Sequence, residues 1–174
     1  EPRLQINPAD AQALGIAPNS LIEVSASTGK AFYLAQVDTT VKTGEVFAPI
    51  HWTRAHAGRS VVSTLVPRVV DPISGQTHSK HVSVALRRIC DVVWLRGVLF
   101  KPVSSKRKER LLGEVIEPQA SYWCVLPGRG GLHFEIACRI DDARQINLEL
   151  RGLFSQAAWQ TLRMGTGVRR QLVT

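Results

Sequence analysis

A loop over residues 71–80 carries the side chains whose types and spacing best suit the binding of a polar ligand. It reads Asp-Pro-Ile-Ser-Gly-Gln over residues 71–76, and Lys80 follows four residues later. Proline fixes φ and glycine tolerates positive φ, so this pattern predicts a rigid turn. Backbone amides, the Gln76 amide and the Lys80 ammonium would suit a phosphate or a polar heterocycle. The loop therefore indicates ligand binding rather than bond-making, and a plain rigid surface turn is the alternative.

A second candidate is the pair His51-Trp52, twenty residues before Asp71. The pair follows a predicted short strand, and side chains at strand ends often line a pocket; a structural hydrogen bond from His51 is the alternative. The five histidines show no helical H-x-x-x-H pair and no nearby carboxylate, so no metal site is expected. No G-x-S-x-G motif occurs, and the glycine-rich run at 128–131 lacks the helix of a dinucleotide fingerprint. We therefore expect no catalytic residue in this sequence.

Composition is that of a globular protein with one or two small domains, since 44% of the 174 residues are apolar. No apolar run approaches the roughly 18 residues of a membrane span. The three cysteines are far apart and odd in number, which argues against a disulfide framework and favours a reducing compartment. We expect a cytoplasmic protein. No secretory leader is visible at the start. The chain opens without a methionine, which suggests a piece of a longer chain.

The net charge is +8, from 22 Lys and Arg against 14 Asp and Glu. A basic surface attracts anions of any kind and does not choose among them. The densest cluster, at 106–110, falls on a predicted helix, where a solvated face is favoured over a nucleic-acid contact. Charge alone therefore leaves the ligand open.

The first ninety residues read as short strands with tight turns and one brief helix. Asn7 caps a helix predicted over 8–14, with a proline in its first turn and Gly15 as its stop. Residues 61–70 contain Pro67 and are predicted to be irregular or an edge strand. Together these elements predict a small closed β-barrel. The predicted strands span residues 21–26, 31–37, 45–50 and 82–86.

A soft boundary near residue 90 separates a predicted domain 1–90 from a smaller α+β extension, 91–174. In the extension, residues 92–103 are predicted to be a strand pair broken at Gly97. Strands 122–126 and 132–137 flank a strong hairpin signal. The remaining predicted elements are a helix at 104–112, capped by Ser104, and a helix at 143–151, capped by Asp141 or Asp142.

Residues 4–16, together with the hairpin that ends in Gly29, resemble the C-terminal dinucleotide-binding domain of molybdopterin oxidoreductases. Residues 44–52 and 71–76, with Lys80 and His81, continue the match in the same order and spacing. Within that family the chain is most similar to the catalytic subunit of assimilatory nitrate reductases. That narrower resemblance rests on four features: the pair His51-Trp52, the pair Tyr122-Trp123, His133 and residues 134–137.

The resemblance implies a mainly β fold, a double-psi β-barrel with short helices, that covers one face of a bis(molybdopterin guanine dinucleotide) molybdenum cofactor. The family's cofactor-contacting lysine falls on Lys80, and its asparagine falls on Ser63, whose shorter side chain lacks an amide. The cofactor-binding residues expected from the loop and the resemblance together are His51, Trp52, Ser63, Asp71, Ser74, Gly75, Gln76 and Lys80. No metal ligand is expected among them.

The implied function is that of a C-terminal fragment of a nitrate reductase, inactive by itself, that seats part of the cofactor. An iron–sulfur cluster is expected in upstream domains of the same polypeptide and none in this chain; an electron donor is a further expected partner. Neither a membrane nor nucleic acid is expected as a partner. Two alternatives stay open: the same domain of a formate dehydrogenase, and a free-standing basic module that binds nucleic acid or other anions. A pyruvoyl decarboxylase is disfavoured, because its Gly-Ser self-cleavage pair is Asn19-Ser20 here.

Overall fold

The structure is a computed structural model that describes residues 1–76, 81–99, 104–128, 131–153, 160–162 and 170–173. The chain divides into two compact units. Unit 1 consists of Glu1–Arg54 and Arg59–Cys90, and unit 2 consists of Ala55–Gly58 and Asp91–Thr174. Most regular structure in both units is β-sheet, with a few short helices. The predicted mainly β class is therefore confirmed.

Unit 1 contains a five-stranded sheet in the order β4-β1-β3-β2-β5. Its strands are β1 (Arg3–Ile6), β2 (Leu21–Ala26), β3 (Gly29–Val37), β4 (Val46–Phe47) and β5 (Ala85–Ile89). β1 pairs in parallel with β3, and the other neighbours are antiparallel. Over the residues that the structure describes, the sheet ends at β4 and β5, so the closed double-psi barrel stays a prediction.

The core of unit 1 lies on one face of this sheet. Alternation along the strands places every second side chain on that face. The buried ones are Leu4, Ile6, Ile22, Val24, Ala31, Tyr33 and Ala35. Helix α1 (Pro8–Ala13) adds Ala11 to the same cluster. Asn7 Oδ1 accepts the backbone N–H of Ala9 at 2.9 Å, and Gly15 has a φ of +63°. The predicted cap, helix and stop are confirmed.

Three segments of unit 1 agree with the predicted elements to different degrees. Residues 61–70 are irregular, as expected, with a short 3-10 helix at Val62–Thr64. The strand predicted over 45–50 is only Val46–Phe47, since a proline follows two residues later and cannot donate to a ladder. The strand predicted over 82–86 is displaced to β5, because Val82 and Val84 pack on the core before the pairing with β2 begins.

Unit 2 contains a second five-stranded sheet, in the order β7-β8-β6-β10-β9. Its strands are β6 (Val93–Leu99), β7 (Ala120–Gly128), β8 (Gly131–Cys138), β9 (Gln160–Leu162) and β10 (Arg170–Val173). The predicted hairpin is confirmed as β7 and β8. The predicted break at Gly97 is wrong: β6 continues through this buried glycine, which lies opposite Phe134.

Helices pack on one face of the second sheet and complete its core. Helix α2 (Ser105–Arg110) begins at the predicted cap, where Ser104 Oγ accepts the N–H of Arg107 at 3.4 Å. It continues as one π-helical segment, Leu111–Ile116, beyond the predicted end, because four apolar side chains of that segment are buried. Helix α3 (Ile140–Leu153) starts three residues before the prediction and places both aspartates in its first turn.

In the part of the chain that the structure describes, no helix is both long enough and apolar enough to cross a membrane.

Candidate functional site

The loop at 71–76 is a turn built around one carboxylate. Asp71 Oδ1 accepts hydrogen bonds from the amides of Ile73 (3.0 Å) and Ser74 (2.7 Å) and from the Ser74 hydroxyl (3.0 Å). The Gly75 amide donates to the Asp71 carbonyl at 2.9 Å, and the Asp71 amide donates to the Gln76 carbonyl at 2.8 Å. Gly75 has a φ of +68°, which glycine adopts without steric cost. The predicted rigid turn is therefore present.

The same bonds determine what the turn can offer a ligand. The Ser74 amide, the Ser74 hydroxyl and the Ile73 amide hold the pKa of Asp71 below its usual range. Asp71 is therefore a carboxylate at neutral pH, and the amides that it accepts from are engaged within the loop. Backbone donation from these amides to a phosphate, which the sequence pattern suggested, would require the turn to open. The exposed side chain of Gln76 is the donor that the intact turn presents.

His51 and Trp52 follow β4 and contact each other. Their ring centroids are 5.2 Å apart and the ring planes meet at 39°. His51 is exposed and Trp52 is half-buried. A tilted aromatic pair with one accessible edge provides a flat apolar face and ring N–H donors, which suits a planar heterocycle better than it suits a bare phosphate.

Ser63 is exposed in the middle of the 3-10 helix Val62–Thr64. This short helix approaches the hairpin of β2 and β3 closely: a β-carbon added at Gly29 would lie 2.9 Å from the carbonyl oxygen of Thr64. Gly29 is therefore required for space.

Lys80, together with residues 77–79, lies outside the described residues, so its contact with the cofactor stays a prediction. The structure joins His51 to Trp52, and it joins Asp71 to Ser74, Gly75 and Gln76.

A charged cluster in unit 1 was missed by the reasoning from sequence. The Glu23 carboxylate is buried on β2 and accepts hydrogen bonds from Lys30 Nζ at 3.0 Å and Arg87 Nη2 at 2.8 Å. The alternating pattern of residues 21–26 assigned Glu23 to a strand, but its cations lie 7 and 64 residues away along the chain. The basic run at 106–110 is mostly exposed on α2, as predicted for a solvated face. Over the described residues, no group of histidine, cysteine and acidic side chains is arranged to hold a metal ion.

Comparison with known proteins agrees with the sequence resemblance. Residues 1–83 match the family model described as "Molydopterin dinucleotide binding domain". This part of the chain matches that family. The predicted resemblance to this family is therefore confirmed. The candidate loop at 71–76, the pair His51-Trp52 and Ser63 all lie within the matched residues, and their contacts with a cofactor stay predictions.

A curated relative extends the comparison beyond that domain. "Nitrate reductase" of Klebsiella oxytoca is 29% identical over 140 residues, which is 79% of this chain and 14% of the relative. The chain therefore spans a small part of the length of the curated relative that it matches. Since 79% of 174 residues exceeds the length of unit 1, the similarity also reaches into the residues after 90.

Proposed function

We propose that this chain is part of a molybdenum-dependent nitrate reductase, which converts nitrate to nitrite, and that it seats part of the cofactor. The match of residues 1–83 to the dinucleotide-binding family carries the proposal. The similarity to a nitrate reductase supports the choice of substrate. In this proposal residues 1–90 are the cofactor-binding domain, folded as a double-psi β-barrel, and residues 91–174 are an extension.

The residues present fit a pterin nucleotide through its rings more than through its phosphates. His51 and Trp52 offer an aromatic face and ring donors, while Gln76 offers an amide that pairs with a heterocycle edge. The Asp71 turn holds its own amides, so it fixes the loop rather than binding phosphate. Lys80 is proposed to supply the cation for the cofactor's negative charge, and Ser63 a hydroxyl contact.

The chain's own residues bind and orient; they carry no step of the reaction. When bound, the molybdenum cofactor supplies the two-electron chemistry of nitrate reduction. The guanine form of the dinucleotide is part of the proposal, as is an iron–sulfur cluster in preceding domains of the same polypeptide. We further propose a cytoplasmic enzyme of nitrate assimilation that receives electrons from a donor protein or domain.

Titration with guanosine monophosphate tests the proposal on the 174-residue chain labelled with nitrogen-15. We expect selective shifts of amide signals at residues 50–52 and 71–81, and smaller shifts with adenosine monophosphate. Inorganic phosphate serves as the control for generic attraction to the basic surface. Shifts confined to residues 106–110, or equal shifts with all three anions, would contradict cofactor seating and favour a generic anion-binding module.

A further inference from the structure

Residues 55–58 follow closely after Trp52 in the chain but belong to unit 2. The carbonyl of His56 accepts a hydrogen bond from the Val125 amide at 2.7 Å. Val125 lies on β7, which ends the order of the second sheet, where main-chain groups need partners from outside the sheet. Ala57 is fully buried. The segment 55–58 is therefore a built part of unit 2 rather than a surface loop.

Gly58 is the last residue of this segment, and the space beside its α-carbon is too small for a β-carbon. A β-carbon added there would lie 2.5 Å from Glu117 Oε2 and 2.6 Å from Trp123 Cζ2. These two side chains also hold each other, because the Trp123 indole N–H donates to the same carboxylate oxygen of Glu117. Trp123 is 2% exposed, so the wall that faces Gly58 cannot move without repacking the core of unit 2.

We propose that this arrangement, the Gly58 clasp, positions the His51-Trp52 pair. The clasp consists of residues 55–58 together with Glu117, Trp123 and Val125. Ala55 is three residues after Trp52, and three residues of extended chain span at most about 11 Å. A clasp that fixes Ala55–Gly58 therefore restricts where Trp52 lies and removes conformational freedom before a ligand binds. The inference rests on the proposed function of the pair, and it gives residues 91–174 the role of ordering the segment 55–58 that follows the pair in the chain.

The substitution Gly58→Ala tests the clasp in the full 174-residue chain. The added methyl cannot fit against Glu117 and Trp123, so the clasp opens. We expect faster hydrogen exchange at the Val125 amide and a moved or split indole N–H signal of Trp52. Gly113→Ala is the matched control, since a β-carbon there meets nothing within 4 Å. It should leave both signals unchanged.

Either of two results with Gly58→Ala would overturn the proposal. In the first, hydrogen exchange at the Val125 amide becomes faster but the indole signal of Trp52 does not move, so the clasp opens without affecting the pair. In the second, neither the exchange at Val125 nor the Trp52 signal changes. Should Gly58→Ala lose the amide signals of β8, and thus its fold, Trp123→Phe takes its place. It removes the indole donor and loosens the wall beside Gly58; a folded Trp123→Phe protein with an unmoved Trp52 signal is also a negative result.

Binding of guanosine monophosphate separates this inference from the proposed function. If the unsubstituted chain binds the nucleotide, Gly58→Ala should weaken binding by about fivefold or more, since two freed side chains must be ordered again. Equal affinity in the two proteins would contradict the positioning role. If the unsubstituted chain binds no nucleotide, the proposed function fails, while the Trp52 signal still decides whether the clasp positions the pair.

Discussion

Glu23 and Arg87 form an ion pair of 2.8 Å across β2 and β5. The glutamate side chain is 9% exposed and the arginine side chain is 66% exposed, so a buried anion is held by a largely solvated cation. Lys30, also largely exposed, donates to the second oxygen from β3 at 3.0 Å. Burial raises the pKa of Glu23, but the hydrogen bonds and charges of Arg87 and Lys30 outweigh it, and the pKa lies below its usual value.

Replacing Glu23 by Gln should destabilise unit 1 in a pH-dependent way. The folded-state pKa is depressed, so the carboxylate stabilises the fold above its unfolded pKa, about 4.3, and this contribution is lost as the pH falls through the folded value. We expect Glu23→Gln to lower the free energy of unfolding by about 1–2 kcal/mol at pH 7, where both cations lose their anion. The loss should be smaller near pH 3 than at pH 7.

Urea unfolding followed through the amide signals of β2 and β3 measures this difference. The control is Glu109→Gln, an exposed residue on α2, which should change stability little at either pH. Equal destabilisation by Glu23→Gln at both pH values would show that the ionised form of Glu23 contributes nothing.

Gly29→Ala should destabilise unit 1 through a steric clash. The new β-carbon would lie 2.9 Å from the Thr64 carbonyl, which must move together with the 3-10 helix that carries Ser63. Overpacking of this kind costs about 1–3 kcal/mol. Thermal unfolding measures the loss, and Gly113→Ala, where the added methyl meets open space, should leave the midpoint unchanged or slightly raised. An unchanged midpoint for Gly29→Ala would mean that the 3-10 helix can move away from Gly29 without a cost in stability.

Asp71 should control the order of the candidate loop. Asp71→Ala removes the acceptor for the amides of Ile73 and Ser74, so their hydrogen exchange should rise, whereas Asp71→Asn retains an acceptor and should change them less. In the unsubstituted chain, exchange corrected for its intrinsic pH dependence should rise as the pH falls below about 3.9, through the depressed pKa of Asp71. Equal protection in Asp71→Ala and the unsubstituted chain would remove Asp71 from this role.

Local signals in the sequence predicted much of the fold because their physical causes are local. Asn7 followed by proline specifies the start of α1, and the alternation of residues 21–26 specifies β2. Neither signal depends on residues that are distant in the chain. Gly97 shows the limit of such signals. Glycine is a breaker in isolation, but in β6 it is buried opposite Phe134, where pairing on the sheet decides the conformation.

The sequence predicted one part of the candidate site and missed others. The turn at 71–76 follows from Asp-Pro and Ser-Gly alone, and it is present. Its amides were predicted to be available to a ligand, but Asp71 accepts from two of them, as aspartate side chains often do at the start of a turn. The Gly58 clasp and the Glu23–Arg87 pair join residues that lie far apart along the chain, and a single sequence contains no periodicity that reports such pairings.

Arg96 should matter far more to the stability of unit 2 than Arg110 does. Arg96 Nε donates to Glu135 Oε1, and the glutamate side chain is 4% exposed. The guanidinium carbon also lies 5.1 Å from the centroid of the Trp94 ring. Arg96→Ala would leave a carboxylate buried without this cation, at a cost of about 3 kcal/mol. Arg110 pairs with Glu114 in solvent, and Arg110→Ala should cost at most about 0.5 kcal/mol.

Urea unfolding followed through the amide signals of β8 compares the two variants. Combining Arg96→Ala with Glu135→Gln should recover part of the lost stability, because the second substitution removes the buried charge that the first leaves without its cation. A double variant that is less stable than Arg96→Ala alone would show that the Glu135 carboxylate depends on other partners more than on Arg96. An Arg96→Ala protein as stable as Arg110→Ala would show that the solvated end of Arg96 already screens the pair.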